Sequence, residues 1–143
     1  MLAGQFALVV AAAYSGAALY INVAEGPARL RLDDRALLAQ WKPAYTRGFA
    51  LEAPLTVLGF LLGLLAWWET GRWAWLLGAT VMIANVPYTL LCILPTNKKL
   101  LATELEGAGP ETRALIETWD ARHAGRTALG FAATSFFLWA SAR

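Results

Sequence analysis

Residues 73–94 read WAWLLGATVMIANVPYTLLCIL, a stretch of 22 residues without a charged side chain. About 20 consecutive apolar residues are enough for a helix to span the hydrocarbon core of a bilayer. Hydrophobic residues make up 58% of the whole chain and charged residues only 15%, whereas soluble domains carry roughly 25% charged residues. The stretch therefore predicts a transmembrane helix in an all-α integral membrane protein.

Three other stretches have the same character, at residues 2–24, 48–68 and 115–141. The first is free of charge, whereas the second and fourth reach spanning length only if their polar N-terminal extensions continue the helix. Pro110 and Glu111 favour such an extension of the fourth, because proline and an acidic residue suit the first turn of a helix. We expect residues 1–143 to form one domain, a four-helix bundle with spans at about 2–24, 48–68, 73–94 and 115–141.

A short amphipathic helix is expected between the first and second spans. Asp33 and Asp34 can cap its start, and Pro43 is expected to bend it into the second span. Its apolar side comprises Leu37, Leu38, Trp41 and Tyr45.

Basic residues predict the orientation of the chain. Ten of the twelve Lys and Arg residues lie in regions 25–52 and 95–126, and only Arg72 and Arg143 lie on the other side. The positive-inside rule then places both long loops in the cytoplasm and both termini outside, in a bacterial inner membrane. Five tryptophans would form an aromatic belt at the outer interface: Trp67, Trp68, Trp73, Trp75 and Trp139. The small net charge of +2 gives no support to a nucleic-acid partner.

Polar side chains recur at helical spacing in the cytoplasmic half of every predicted span. They are Asn22, Glu25 and Arg29 in the first, Trp41, Tyr45 and Glu52 in the second, Asn85, Tyr88 and Cys92 in the third, running down to Thr96 and Asn97, and Trp119, Arg122, His123 and Arg126 in the fourth. Ionisable residues at membrane depth normally face a helix interface or a cavity. We expect a cavity open to the cytoplasmic leaflet and lined by Glu25, Glu52, Tyr88, His123 and Arg126. A structural alternative pairs Glu25 with Arg29, and Glu52 with Arg126 or Arg47.

The chain resembles the anthrone oxygenase-like family of small four-span membrane proteins. The matching motifs are Ser15-Gly16-Ala17-Ala18-Leu19-Tyr20 with Glu25-Gly26-Pro27-Ala28-Arg29, then Leu94-Pro95-Thr96-Asn97-Lys98, then Trp119-x3-His123-x2-Arg126. They follow one another in order over nearly the whole chain.

The resemblance implies oxidation of a lipophilic aromatic or quinol-like substrate by O2 without a metal or flavin cofactor. An anthrone is a carbon acid, so His123 or Glu52 is a candidate base, and Arg126 or Arg122 a candidate for stabilising the oxyanion. The candidate catalytic residues are therefore His123, Arg126 and Glu52. The candidate substrate-binding residues are Trp119, Tyr88, Asn97, Glu25, Arg122, Asn22 and Tyr45.

Two other functions remain open. His123 with Glu25 and Glu52 would serve a metal- or haem-dependent enzyme, although one histidine is few for a transition-metal site. A non-enzymatic scaffold, lipid-binding protein or transporter subunit would use the same polar groups only to hold helices together. The expected partners are the lipid bilayer, a lipophilic small molecule and O2, and a homo-oligomer is one of the open assembly states.

Overall fold

The computed structural model describes all residues 1–143, and they form helices without any strand. Four long helices account for most of the chain: α1 (Leu2–Arg29), α2 (Asp34–Thr70), α3 (Trp73–Ala102) and α4 (Pro110–Ser141). The connections are short, and the longest holds one 3-10 turn, Leu105–Gly107. The expected all-α class is confirmed.

The helices pack in a ring, in which α1 and α3 each contact both α2 and α4. Alanines at four-residue spacing on α1, such as Ala3, Ala7 and Ala11, are buried and let the helix backbones approach closely. The ring encloses two apolar clusters. One is built around Trp75 and Phe137, near the end that holds both termini. The other is built around Trp41 and Trp119, near the opposite end. Polar side chains lie between these two clusters.

Three of the four helices, α1, α2 and α3, are long and apolar enough to cross a membrane by length and composition. Many of their large apolar side chains, among them Phe6, Leu61 and Leu91, point away from the protein interior. Helix α4 is not among the three. Its charge-free part begins only at Thr127, after Arg122 and Arg126, so its crossing of the membrane remains a prediction.

The prediction of a separate short amphipathic helix before the second span is wrong, because residues 34–70 form one continuous helix. Asp33 does cap its start, as its carboxylate accepts a hydrogen bond of 2.9 Å from the Ala36 amide. Pro43 lies inside the helix without ending it. The hydrogen bond that Pro43 cannot donate would have gone to the carbonyl of Ala39, an exposed residue. Burial of Trp41 and its neighbours in the second cluster holds this segment in place.

Two wide π turns interrupt the helices, Ile21–Glu25 in α1 and Thr89–Ile93 in α3. Each ends two residues before a proline, Pro27 or Pro95. Proline has no amide proton and crowds the carbonyl four residues earlier, and a wider turn can accommodate both effects. The two turns lie at the level of the polar layer, where they change the direction of the following side chains.

Candidate functional site

Three ionisable side chains of α2 and α4 meet in the polar layer. Arg126 Nη2 lies 3.0 Å and His123 Nε2 lies 3.5 Å from the same oxygen, Glu52 Oε2. Glu52 and His123 are each 1% exposed and Arg126 is 6% exposed. A buried carboxylate requires such pairing, since an isolated charge in this environment is costly. Glu52 Oε1 and His123 Nε2 still make no hydrogen bond.

The π turn of α1 positions His123 through Asn22. The side-chain oxygen of Asn22 lies 2.9 Å from His123 Nδ1 and also accepts a hydrogen bond of 2.6 Å from Thr127. The Asn22 amide nitrogen donates to the carbonyl of Asp120 at 2.9 Å. These bonds fix the amide orientation, so Asn22 Oδ1 can only accept and His123 Nδ1 must carry a proton. His123 Nε2 is then the nitrogen that faces Glu52 and is available as a base.

Tyr14 of α1 holds the other side of Arg126. Its oxygen accepts a hydrogen bond of 3.0 Å from Arg126 Nε, and its hydroxyl donates one of 2.9 Å to Asn85 Oδ1. Asn85 in turn donates to the carbonyl of Met82, at the break in α3 before Pro87. Arg126 is thereby bound directly to Glu52 of α2 and Tyr14 of α1, and it is linked through Tyr14 to Asn85 of α3.

Aromatic side chains cover the opposite side of His123. The Trp119 ring stacks on the imidazole with centroids 5.0 Å apart. Its indole nitrogen donates to Asn97 Oδ1 at 2.7 Å, and Asn97 donates to the Tyr45 oxygen at 3.2 Å. Tyr45 stacks on Trp41 with an interplanar angle of 3°. This chain of contacts makes a rigid wall of aromatic surface.

Glu25 and Arg29 at the end of α1 complete the cluster. Arg29 Nη2 lies 2.7 Å from Glu25 Oε1, and the guanidinium lies over the Trp119 ring at 5.5 Å from its centroid. Arg29 is 3% exposed. The local pairing of these two residues is the structural alternative foreseen from their four-residue spacing.

A small inner cavity lies among these groups, lined by the side chains of Glu25, Arg29, Tyr45, Glu52, Trp119, His123 and Arg126. Its free volume is about 10 Å³, which is room for a group about the size of one water molecule. An outward-facing groove of about 460 Å³ adjoins it between α1 and α2. Glu25 and Glu52 line both spaces. Arg47 also lines the groove, and the rest of the lining is largely apolar.

A second cavity of about 160 Å³ lies on the other side of α2, between that helix and the broken part of α3. Its walls include Phe49, Val57, Val86 and Leu90, with Arg126 at its inner end. Arg126 therefore borders both this cavity and the small inner cavity.

Seven of the ten sequence-predicted site residues meet at this place: Asn22, Glu25, Tyr45, Glu52, Trp119, His123 and Arg126. Asn97 lies one layer behind, where it orients Trp119. Four of the five residues expected to line a cavity do line this one, Glu25, Glu52, His123 and Arg126, but Tyr88 does not. The Tyr88 hydroxyl donates to the carbonyl of Arg122 at 2.6 Å, in the space left by the missing side chain of Gly125.

Arg122, a candidate substrate-binding residue in the sequence, does not line the cavity either. Residues 119, 122, 123 and 126 share a broad helix face, but the exposed Arg122 is on its far edge. Its guanidinium donates to the carbonyl of Cys92 and to Thr96, both at 3.0 Å. Arg122 thus joins α4 to α3, away from the cavity.

Further polar residues adjoin the site although the sequence did not predict them as site residues, among them the buried Tyr14 and Arg29 and the partly buried Asp120. Tyr14 lies eight residues before Asn22 on the same helix face, and Arg29 lies seven after it, so the spacing contained a signal for both. Asp120 is half-buried against Gly26, and neither of its oxygens has a hydrogen-bond partner. No group of three or more His, Cys, Asp or Glu side chains is arranged to hold a metal ion.

The geometry is suited to moving a proton next to an apolar surface. It has a free imidazole nitrogen beside a carboxylate, a fixed guanidinium and an aromatic wall. No curated protein and no solved structure matches the chain. The family model described as "Anthrone oxygenase" matches residues 41–136, which include Glu52, Asn97, Trp119, His123 and Arg126. By this match over about two thirds of its length, the chain belongs to the anthrone oxygenase family.

Proposed function

We propose that this protein is a membrane-embedded oxidoreductase that oxidises an anthrone-type carbon acid with O2 and needs no cofactor. One observation carries the proposal: Glu52, which lies 3.5 Å from His123 in the inner cavity, also lines the outward-facing and largely apolar groove. A base in that position can deprotonate a flat lipophilic molecule that arrives from the bilayer. Family membership supports the same chemistry.

The proposal includes the placement of the helices in the membrane. All four helices cross a bacterial inner membrane as a four-helix bundle, with both termini outside and connections 30–33 and 103–109 in the cytoplasm. The distribution of Lys and Arg supports this orientation. The ring packing supports the crossing of α4, because α1 and α3 both pack along it. The groove then opens toward acyl chains of the cytoplasmic leaflet.

The first step is removal of a proton from the acidic methylene carbon of the substrate. The C–H bond breaks, the proton goes to the Glu52–His123 pair, and the electron pair delocalises onto the substrate oxygen as an enolate. Glu52, which lines the groove, passes the proton to His123, and Nε2 is the accepting nitrogen because Asn22 holds the Nδ1–H form. The carboxylate of Glu52 at 3.5 Å then stabilises the imidazolium.

The following steps use O2 as the only oxidant. One electron passes from the enolate to O2, and the resulting carbon radical and superoxide combine to form a C–O bond. The peroxide takes up the first proton, the carbon loses its second, and the O–O bond breaks with release of water. One anthrone and one O2 thus give one anthraquinone and one water.

Arg126 has two functions in this scheme. It pairs with Glu52 at 3.0 Å and so holds the carboxylate in one orientation. Its fixed positive charge also stabilises negative charge as it develops on the substrate, without reorganisation during the reaction. Tyr14 helps to hold the guanidinium in place.

The test is oxygen consumption by purified protein in nanodiscs, with anthrone as the probe substrate. We expect one O2 per anthrone and a fall in kcat of roughly 100-fold or more in His123→Gln, the range usual for a general base. This variant leaves Glu52 paired with Arg126, so no buried charge is left alone. Arg72→Gln, at the far end of the protein, serves as the control with unchanged kcat.

A non-enzymatic scaffold, lipid-binding or transporter role predicts another outcome. In that case no variant changes the rate of anthrone oxidation above the rate of empty nanodiscs, and Glu52→Gln and His123→Gln change only the unfolding temperature. An enzyme whose base is Glu52 alone predicts loss of kcat in Glu52→Gln with near-normal kcat in His123→Gln.

A further inference from the structure

Arg29 is a buried cation with unused hydrogen-bond donors. Its guanidinium is 3% exposed, yet only Nη2 has a partner, the carboxylate of Glu25. Nε and Nη1 are buried and make no hydrogen bond. A buried donor without an acceptor costs free energy, and the cost is larger for a charged group. Such a residue is unusual unless an acceptor reaches it during function.

The surroundings of Arg29 specify what that acceptor can be. Arg29 lines the inner cavity beside His123 and Glu52. The cavity has room for a group about the size of one water molecule, so it admits a single ligand oxygen and excludes a ring. The ring system must then remain in the adjoining groove, which shares Glu25 and Glu52 with the cavity.

Trp119 adds a second feature of the same subsite. Its ring lies beneath the Arg29 guanidinium at 5.5 Å and stacks on His123. This cation–π contact helps to hold the guanidinium beside the inner cavity that Arg29 lines. A guanidinium offers only donors, so its natural partner is an acceptor, and an anionic oxygen gives the strongest bond.

We propose that Arg29 and Trp119 form a subsite for an anionic oxygen on a flat aromatic ligand, of the chemical class of a phenolate. The aromatic character of the ligand rests on the proposed function, whereas the anion subsite rests on Arg29 itself. The subsite lies beside the proton-accepting pair and distinguishes hydroxylated aromatics from those without a hydroxyl. It makes Arg29 a residue that determines substrate specificity.

Direct binding tests the subsite without turnover. The probes are 2-hydroxyanthraquinone, whose visible absorbance shifts to the red when its phenol ionises, and anthraquinone, which has no hydroxyl. Both are titrated into protein in nanodiscs, with empty nanodiscs as the blank, at a pH where the free phenol is protonated. We expect the bound hydroxyl compound to show the phenolate spectrum and to bind roughly 10- to 100-fold more tightly than anthraquinone, as for a charge-assisted hydrogen bond.

Arg29→Gln is expected to abolish both the red shift and the preference, whereas Arg31→Gln, an exposed arginine of the same segment, keeps them. A neutral-phenol spectrum in the unaltered protein overturns the proposal even if Arg29→Gln fails to fold. Equal binding by Arg29→Gln and the unaltered protein also overturns it, and assigns the free donors to a water-mediated contact with Asp120.

The proposed function fails separately. If the protein binds the phenolate through Arg29 but consumes no O2, the proposed subsite stands and the proposed oxidase activity is wrong. If Arg29→Gln consumes O2 as fast as the unaltered protein, with hydroxylated and with plain anthrones, the proposed activity stands and the proposed subsite is wrong.

Discussion

At the scale of single residues, Asn22 determines which nitrogen of His123 carries a proton. Its oxygen can only accept, because Thr127 donates to it and the amide nitrogen is committed to the Asp120 carbonyl. His123 Nδ1 therefore carries the proton in the neutral imidazole, and Nε2 is the nitrogen that faces Glu52. A single amide on α1 thereby decides the acid–base role of a side chain on α4.

This tautomer is directly measurable because the chain has one histidine. We expect the 15N spectrum of histidine-labelled protein in its neutral imidazole form to show a protonated Nδ1 and an unprotonated Nε2. Asn22→Leu removes the acceptor at similar volume and is expected to shift the population toward Nε2–H and to lower kcat by at least about 10-fold. Asn97→Leu, which touches Trp119 rather than His123, serves as the comparison. A protonated Nε2 in the unaltered protein at high pH contradicts the assignment.

Arg126 allows a second prediction at this scale, on stability. Arg126→Ala leaves Glu52 buried with no cation beyond His123, and the loss of a buried ion-pair partner typically costs about 3–5 kcal/mol. The double variant Arg126→Ala/Glu52→Gln removes both charges, so we expect it to recover a large part of that loss. Denaturant unfolding of the two variants checks this. Equal stability of the single and double variants contradicts a mutual ion pair.

At the scale of elements, close helix contacts rest on glycines that face aromatic rings. A Cβ on Gly63 of α2 would lie 2.7 Å from the Phe137 ring and 3.0 Å from the Ala79 Cβ. These neighbours belong to α4 and α3, so one glycine sets the approach of three helices. The spacing of Gly59 and Gly63 indicates such close packing from the sequence, and the partner helices appear only in the fold.

Gly63→Ala is therefore expected to destabilise the protein by about 1–3 kcal/mol through overpacking. Gly16→Ala is the matched control, because nothing lies within 4 Å of its added methyl group and alanine favours a helix. Thermal unfolding in detergent, followed by circular dichroism, distinguishes the two. A Gly63→Ala protein as stable as Gly16→Ala contradicts the close approach of Gly63 to Phe137.

At the scale of the whole molecule, the polar layer lies between two apolar clusters. All four helices contribute a polar side chain to this layer: Tyr14, Glu52, Asn85 and Arg126. The layer is stable only when the helices are assembled, since each buried group takes its partner from another helix. The groove between α1 and α2 is the side of the assembly from which Glu52 is reached.

Topology gives a prediction at this scale. Alkaline phosphatase, which is active only outside the cytoplasm, is expected to be active when fused after Arg143 and inactive when fused in the connection 103–109. Green fluorescent protein at the same points should give the opposite result. The same outcome at both points would mean that α4 does not cross the membrane.

The sequence by itself determined the all-α class, the long apolar helices and the family, because hydropathy and short motifs are local properties of the chain. It also placed Trp119, His123 and Arg126 on one helix face. It predicted that polar residues of the other helices lie at the same depth, namely Asn22, Glu25, Tyr45 and Glu52. Only the tertiary structure showed that Tyr88 and Arg122 face away, that residues 34–70 form one helix, and that Tyr14 and Arg29 join the site. These outcomes depend on π turns and on contacts between helices, since a wide turn rotates every following side chain and a buried group is fixed by a partner far away in sequence.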